Sequence, residues 1–322
     1  MLLRRSIDAD LDQVLACTVT EPVGWVQPHR YLAGLTTGEH RHEWTWVAEC
    51  DGRIVARAVW WGPEGASHPV ALDCVYVDAT VPGRIDLAGR LITAGQQALR
   101  APGHPLPPEY DLNMPNGWRA DPVAGRAFGW RRKAAAIAGL TNELERFRYR
   151  WIPSAGLPSS GGRLQLREEP DDGVFLDAFR RVAAGSLDVT TQREVAVLGT
   201  DRQAREDMAL YQRLPGNRTW WRLAYTSGGG LAGLAIPSRG AHGSVVGYLG
   251  VVPELRGHGY VNDLLAEVTL FHAKAGAERI LASTDTTNLP MAAAFDRAGY
   301  RVYGIRMVLS APPGSSWAGH AP

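Results

Sequence analysis

Cysteine is scarce in this sequence of 322 residues, which has three, at Cys17, Cys50 and Cys74. An odd number of widely spaced cysteines fits neither a disulfide framework nor a zinc site. A reducing compartment is therefore the simplest interpretation. Long apolar runs are also lacking, because no window reaches the roughly 18 apolar residues that a membrane helix needs. We expect a soluble, cytoplasmic protein with no membrane partner.

The sequence has almost no excess of charge of either sign, since 34 Lys and Arg residues face 33 Asp and Glu residues. No global field favours nucleic acid, so we expect no nucleic-acid partner. Hydrophobic residues make up 45% and charged residues 21%, which is ordinary for a globular protein and excludes general disorder. The nine histidines are scattered, so we expect no metal.

The length is long for one compact domain and comfortable for two. A stretch rich in Pro, Ser and Gly at residues 151–162 interrupts the periodic hydrophobic pattern and predicts a linker. The expected organisation is therefore a first domain at 1–150, a second domain at 163–311 and a flexible tail at 312–322.

The two halves repeat the same order of predicted elements: a strand and a helix, a hairpin, a β-branched strand, and an amphipathic helix. The β-branched strands lie at 71–77 and 244–252, and the helices that follow them at 85–99 and 259–275. Elements that recur in one order at offsets of roughly 160 to 175 residues indicate an internal duplication.

The chemistry is concentrated where the β-branched strand of the second half meets its helix. Gly257 and Gly259 lack the Cβ atom that would block a phosphate, and the first N–H groups of a helix have no acceptor within it. Arg256 would add a positive charge, and Pro253 is expected to end strand pairing and open a slot beside the backbone. The residues of a Walker loop or a dinucleotide fingerprint are missing.

This segment resembles motif A of the GNAT superfamily of acetyltransferases, whose pattern is Gln/Arg-x-x-Gly-x-Gly/Ala after a strand. Arg256 and Gly259 match the pattern, and Val261 departs from its final Gly/Ala. Residues 288–300 resemble motif B of the family, in which an Asn precedes a helix that ends in Gly-Phe/Tyr. The resemblance covers residues 164–309.

The resemblance implies an α+β fold of two tandem GNAT-like domains, each a mixed, largely antiparallel sheet flanked by helices. It also implies acetyl-CoA as cosubstrate and an amine of a small molecule or peptide as acceptor. Main chain near Leu249 would pair with the pantetheine arm, and the loop would hold the pyrophosphate. The implied cofactor contacts are Leu249, Gly250, Val251, Arg256, Gly257, His258, Gly259, Tyr260, Val261, Asn262, Asn288 and Phe295.

Amine acetylation needs a base for the ammonium and an acid for the departing thiolate. The family often uses a Tyr as the acid, and Phe295 occupies that position here, so the acid is left open. For the base, Ser283 and Asp285 alternate onto one face of a predicted strand, and Asp285 is the preferred candidate. The alternative is that Asp285 is a turn or cap residue ahead of Thr286.

The first half lacks the motif. Aligning the ends of the β-branched strands places Gly83 at Gly257 and Ile85 at Gly259, where the Ile85 side chain would obstruct a phosphate. We therefore expect the first half to be a degenerate copy, and acetyl-CoA to bind in the second.

Alternatives remain open within and beyond this function. An enzyme of this type could build a low-molecular-weight thiol or modify an aminoglycoside-like compound. The degenerate first half and Phe295 also allow a non-catalytic acyl-CoA sensor or interaction protein. Neither the acceptor nor the oligomeric state follows from the sequence.

Overall fold

The computed structural model describes residues 1–24, 27–102, 104, 106–240 and 243–312. The chain forms two compact units. Unit 1 comprises residues 1–145 together with the end of the chain from Gly304 on, and unit 2 comprises residues 146–303.

Regular elements follow one another in the same order in both halves. The first half contains β1 (Leu2–Arg5), α1 (Leu11–Ala16), α2 (Pro28–Thr37), β2 (Thr45–Cys50), β3 (Arg53–Trp61), β4 (Ala71–Val77), α3 (Arg84–Ala98), β5 (Glu109–Pro115), α4 (Pro122–Ile137) and β6 (Asn142–Trp151). The second half contains β7 (Leu164–Arg167), α5 (Asp172–Ala183), α6 (Val189–Leu198), α7 (Thr200–Arg213), β8 (Arg222–Thr226), β9 (Leu231–Gly240), β10 (Gly243–Val251), α8 (Tyr260–Lys274), β11 (Ile280–Asp285), α9 (Leu289–Arg297) and β12 (Arg301–Ser310).

Each unit is built on a mixed sheet. The strand order is β1-β2-β3-β4-β5-β12 in unit 1 and β7-β8-β9-β10-β11-β6 in unit 2. Strands β4 and β5 are parallel, as are β10 and β11, whereas the other pairs of these two sheets are antiparallel. The predicted fold class, two tandem domains with mixed, largely antiparallel sheets flanked by helices, is confirmed.

The sixth strand of each sheet comes from the other half of the sequence. Residues Arg146 to Trp151 of β6 pair with β11 in unit 2. Residues Gly304 to Leu309 of β12 pair with β5 in unit 1. The compact units therefore differ from the predicted domains at 1–150 and 163–311, because those boundaries leave each copy its own last strand.

Two hydrophobic clusters hold the sheet of unit 2, one on each face. On one face, α8 and α9 contribute Leu264, Leu265 and Phe295. On the other face, α5 and α7 contribute Phe179 and Met208. Fully burying each such side chain stabilises the fold by roughly 1.5 to 3 kcal/mol, so the central strand β10 is fixed from both sides.

The predicted linker at 151–162 is tied to unit 2. Trp151, which ends β6, is buried, and its Nε1 donates a hydrogen bond of 2.9 Å to the Gly156 carbonyl. Further on, the Gly161 N–H donates to Asp263 Oδ1 at 2.9 Å. The segment is therefore held by specific contacts at both ends. The predicted tail at 312–322 lies outside the described residues from position 313 on.

Candidate functional site

The loop between β10 and α8 presents a row of main-chain donors. Gly257 and Gly259 have φ values of 81° and 75°, in the left-handed region that favours glycine. Gly259 is the residue before α8, whose first turn begins at Tyr260. In the described part of the chain, no main-chain carbonyl accepts from the N–H groups of residues 257–261. The helix dipole adds positive potential, so the loop can hold an anion.

Arg256 does not direct its charge into this loop. Its Nε donates to the Val251 carbonyl at 3.0 Å and its Nη2 to the Val182 carbonyl at 2.8 Å. A third donor, Nη1, bonds the Gly185 carbonyl. The expectation that Arg256 adds charge to the phosphate site is therefore corrected: its guanidinium fastens the loop to the end of α5.

Asn262 is also occupied within the protein. Its main-chain N–H and its Nδ2 both donate to the Gly259 carbonyl, at 3.1 and 2.8 Å, and its Oδ1 accepts from Arg297 at 3.0 Å. Asn262 thus shapes the loop instead of offering it a free donor. The row of free donors ends at Val261, whose side chain packs against the cluster on the α8 and α9 face.

A cation that the sequence analysis missed stands beside the loop. Arg163 donates to the carbonyls of His258 and Gly259, at 2.8 and 3.1 Å, and pairs with Asp263. Its guanidinium lies 5.0 Å from the ring centre of Tyr260. The His258 side chain is exposed at the rim. Arg163 precedes β7, nearly a hundred residues from the loop, so no local pattern could have assigned it.

A slot opens between β10 and β11. Their parallel pairing is limited to Ser244 with Ile280 and Val245 with Leu281, although both strands continue. The β10 to β9 pairing shifts register between Val245 and Tyr248, and Gly247 within that bulge has a φ of 63°. The bulge therefore opens the slot several residues before Pro253, which was expected to do so.

Main chain at Leu249 to Val251 lines this slot. These residues pair with β9 on one side, and the Val252 N–H continues that ladder to the Ala232 carbonyl at 2.9 Å. Because successive residues of a strand present their N–H and C=O groups to opposite edges, the groups of Leu249 and Val251 face the slot. A Cβ on Gly250 would lie 2.2 Å from Val182 Cγ1, so this position needs glycine.

The two motif B residues have different environments. Asn288 precedes α9, and its Oδ1 accepts from the Met291 N–H at 3.3 Å as an N-cap. Its Nδ2 carries the remaining donors. Phe295 is 2% exposed and packs between Tyr149 and Tyr300, with ring centres 4.6 and 5.1 Å away. The expected cofactor contact at Phe295 is corrected, because its ring belongs to the core.

Asp285 is fully buried at the end of β11. Its Oδ2 accepts from the Val189 N–H at 2.7 Å, and its Oδ1 lies 3.2 Å from Arg146 Nε. Burial, followed by the nearby Asp188, raises the pKa of Asp285, while Arg146 lowers it. The carboxylate thus holds the first turn of α6, not the turn at Thr286 considered from the sequence. Ser283 lies two residues earlier, and its side chain is exposed.

A second carboxylate, absent from the sequence analysis, stands on the α5 to α7 face of the sheet. Burial raises the pKa of Asp207 on α7 to about 6, with smaller contributions from Asp188 and Glu206. One helical turn later, the Tyr211 hydroxyl donates to the Gly247 carbonyl at 3.4 Å. The Tyr211 ring centre lies 5.5 Å from that of Tyr248 on β10. Asp207 and the bulge of β10 thus belong to one surface.

One sequence signal could have found this group. Gln203, Asp207 and Tyr211 are spaced four residues apart and form one stripe on α7. Gln203 and the neighbouring Met208 are buried. A carboxylate on the inward stripe of an amphipathic helix is unusual, because burying its charge is costly.

Unit 1 retains the slot but occupies it. Strands β4 and β5 also pair at only two positions. In unit 1, however, the buried Arg131 of α4 donates to the Val75 carbonyl at 3.4 Å and pairs with Glu21 at 2.6 Å. A buried charged side chain therefore occupies one main-chain acceptor of β4.

The loop of unit 1 is also shorter. Six residues separate β4 from α3, whereas eight separate β10 from α8. Gly83 precedes α3 with a φ of 70°, as Gly259 precedes α8. Gly83 therefore corresponds to Gly259, and Ile85 to Val261, which corrects the alignment drawn from the sequence. Unit 1 thus differs from unit 2 by its shorter loop and by Arg131 on β4, and Ile85 does not take the place of Gly259.

The slot, the donor loop and the two mixed sheets define a tandem GNAT fold. A GCN5-related N-acetyltransferase from Sphaerobacter thermophilus superposes with a TM-score of 0.59 at 16% identity, over 98% of this chain and 97% of that chain. A tandem GNAT protein from the clavulanic acid biosynthesis pathway gives 0.54 at 16% identity, over 98% and 100%.

A third similar structure is the GCN5-related glucosamine N-acetyltransferase region of a fungal multi-domain GH3 β-N-acetylglucosaminidase. It gives a TM-score of 0.59 at 13% identity, over 95% of this chain and 38% of that chain. No protein-family model and no curated protein matches this sequence. At these identities the likeness establishes the fold.

Two kinds of site are absent from residues 1–24, 27–102, 104, 106–240 and 243–312. Within them, no group of three or more His, Cys, Asp or Glu side chains could hold a metal ion. Among the same residues, no helix is long and apolar enough to span a membrane.

Proposed function

We propose that unit 2 transfers an acetyl group from acetyl-CoA to an amine of a small molecule or peptide. The proposal rests on one observation: the slot beside β10 runs without interruption into the loop that follows β10. The slot beside β10 is lined by the main chain of Leu249 and the N–H group of Val251, whose carbonyl Arg256 occupies, and it leads directly into the loop at residues 257–261. A long amide-bearing arm that ends in a pyrophosphate requires both features in this order.

Each part of the cosubstrate has a partner among these residues. The pantetheine amides would pair with the main chain of Leu249 and the N–H group of Val251 along the slot, and Asn288 Nδ2 would reach the arm from the start of α9. The pyrophosphate would accept from the free N–H groups of the loop, with Arg163 beside it. The acetyl group would then lie near the bulge at Gly247, where β10 and β11 converge.

The acceptor amine would approach this bulge from the α7 side of the sheet. Asp207 is the base in this proposal, because a carboxyl group with a pKa of about 6 is ionised at neutral pH and still basic enough to accept a proton from an ammonium. The neutral amine would form a C–N bond as the C–S bond breaks, and the thiolate would leave. Holding both reactants at the bulge would supply much of the rate enhancement.

The test compares two glycines with similar positive φ values, where alanine would be strained to the same degree. Gly259→Ala places a Cβ at φ 75° in the loop, 3.3 Å from Asn262 Nδ2. Gly276→Ala does the same at φ 78° just after α8, with no atom within 4 Å. Each should lower the free energy of unfolding by about 1 kcal/mol. By calorimetry, we expect one acetyl-CoA per chain, and at least tenfold weaker binding for Gly259→Ala only.

Equal acetyl-CoA affinity in the two variants would show that the loop at residues 257–261 does not bind the pyrophosphate. Thiol release from acetyl-CoA with a panel of amines tests turnover separately. Tight binding without turnover on any amine or peptide would favour the non-catalytic sensor.

A cytoplasmic location is part of this proposal. Its support is that Cys17, Cys50 and Cys74 are all free thiols. Thiols that remain unpaired are typical of reducing compartments.

A further inference from the structure

A row of arginines lies on the same face of the unit 2 sheet as the buried acidic residue at the end of β11. Alternate residues of β6 point to one face, and directly paired residues of neighbouring strands share a face. Three arginines of β6 thereby stand opposite three residues of β11. The register pairs are Arg146 with Asp285, Arg148 with Ser283, and Arg150 with Leu281.

The three arginines differ in their partners. Arg146 is neutralised by Asp188 at 3.0 Å and by Asp285 at 3.2 Å. Within the described residues, no carboxylate pairs with Arg148 or Arg150. Their guanidinium groups instead lie 4.7 and 5.8 Å from the ring centre of Tyr303. The ring orients both cations without neutralising them.

The pair of Arg148 and Arg150 lies near the slot in the order of strands. Arg148 stands on the strand next to β11, and the slot lies on the other side of β11. Neighbouring strands are about 4.8 Å apart, so the arginine pair stands roughly two strand spacings from the bulge of β10. The surface between them contains the exposed Ser283 side chain.

We propose that Arg148 and Arg150 bind an anionic group, a carboxylate or a phosphate, that the acceptor carries in addition to its amine. The inference rests on the proposed function, because it places the amine at Asp207. Guanidinium groups bind such anions through paired, charge-assisted hydrogen bonds. The Ser283 hydroxyl, directly opposite Arg148, offers the anion a further donor. The acceptor is thus a bifunctional molecule with a cation at one end and an anion at the other.

The experiment measures acceptor binding to the CoA-loaded protein by calorimetry, which does not require turnover. Two pairs of probes separate the anion from the amine: 6-aminohexanoate against hexylamine, and O-phosphoethanolamine against ethanolamine. We expect the anionic member of at least one pair to bind at least tenfold more tightly. The pair that responds distinguishes a carboxylate from a phosphate.

The Arg148→Gln/Arg150→Gln variant should lose that preference while keeping its affinity for the amine that lacks an anionic group. Arg148→Lys should retain part of it. Arg167→Gln is the matched control, because Arg167 also lies on a strand of this sheet, with its guanidinium 5.0 Å from the Tyr225 ring centre. The control should bind all probes like the wild type.

Two results would overturn the inference: a wild type that binds neither anion-bearing amine better than the matched amine without the anion, or a double variant that retains the full preference. Failure of the proposed function has a different signature, namely no acetyl-CoA binding and no thiol release with any amine. A preference seen in binding without turnover would support the anion site and count against catalysis.

Discussion

Replacing Asp207 by Asn should lower activity and raise stability, a combination that a purely structural residue would not give. Burial raises the pKa of Asp207 from the ordinary 3.8 of an aspartic acid to about 6. A rise of about two pKa units means that the folded state disfavours the ionised carboxylate by up to about 3 kcal/mol. The Asn side chain removes this cost, but it also removes the base.

The sign of the effect on stability follows from the direction of the shift. Below the pKa of the unfolded chain, near 4, the carboxyl group is protonated in both states and imposes no cost. Between pH 4 and 6 the unfolded chain ionises first, so the wild type loses stability as the pH rises. Above pH 6 the full cost is present. In urea unfolding, Asp207→Asn should therefore match the wild type at pH 3.5 and exceed it by about 2 kcal/mol at pH 8.

The effect on rate is measured as kcat/KM for amine acetylation across pH 5 to 9. A general base typically contributes a factor of 10² to 10⁴, so we expect Asp207→Asn to lose about 10²-fold at pH 8. The wild-type profile should rise with pH through about 6, as Asp207 ionises, and the variant should lack that rise. Glu206→Gln is the matched control, because Glu206 is exposed on the same helix and pairs with Arg202 at 2.8 Å.

Two outcomes would refute this reasoning. An Asp207→Asn variant with wild-type kcat/KM would show that another group is the base. A variant that loses stability at pH 8 would show that the carboxylate makes favourable contacts in the fold that outweigh its burial.

Asp285→Ala should lower the free energy of unfolding by about 2 kcal/mol, because the Val189 N–H loses its acceptor; Asp285→Asn keeps an acceptor and should retain turnover within a few-fold. Loss of turnover in Asp285→Asn at unchanged stability and KM would instead identify Asp285 as the base. A fragment of residues 1–150 lacks the strand that pairs with β5 and should show no cooperative thermal transition by calorimetry. Fusing residues 304–312 to its end through a Gly/Ser linker should restore one, and a cooperative transition without them would contradict the assignment of that strand.

The loop before α8 was predictable from sequence because its determinants are local. A left-handed glycine at Gly259 and the free N–H groups of a helix start depend on a few consecutive residues. The role of Arg256 could not be predicted, because its three acceptors include carbonyls of α5 that lie about seventy residues away. For the same reason, the capping of α6 by Asp285 required the fold.

The exchange of strands between the halves was hidden for a different physical reason. β6 and β12 follow equivalent helices and have similar lengths, ten residues each. Exchanging them leaves every local hydrophobic pattern unchanged, so no periodicity argument can detect it. The predicted fold class was therefore right, while the boundaries of the compact units were not visible. Asp207 was missed because the sequence offered no motif for the acceptor side.

The exchanged strand also has a consequence for synthesis on the ribosome. Strand β5 obtains its second neighbour only when residues 304–309 have been made, and the pair of Asp111 with Arg306 joins positions 195 residues apart. Domains ordinarily fold one after another as the chain emerges. In this protein, β5 remains an unpaired edge of the first sheet while about half of the chain is still to be translated. An exposed strand edge can pair with other chains, so the edge of β5 is open to such pairing until residues 304–309 have been made.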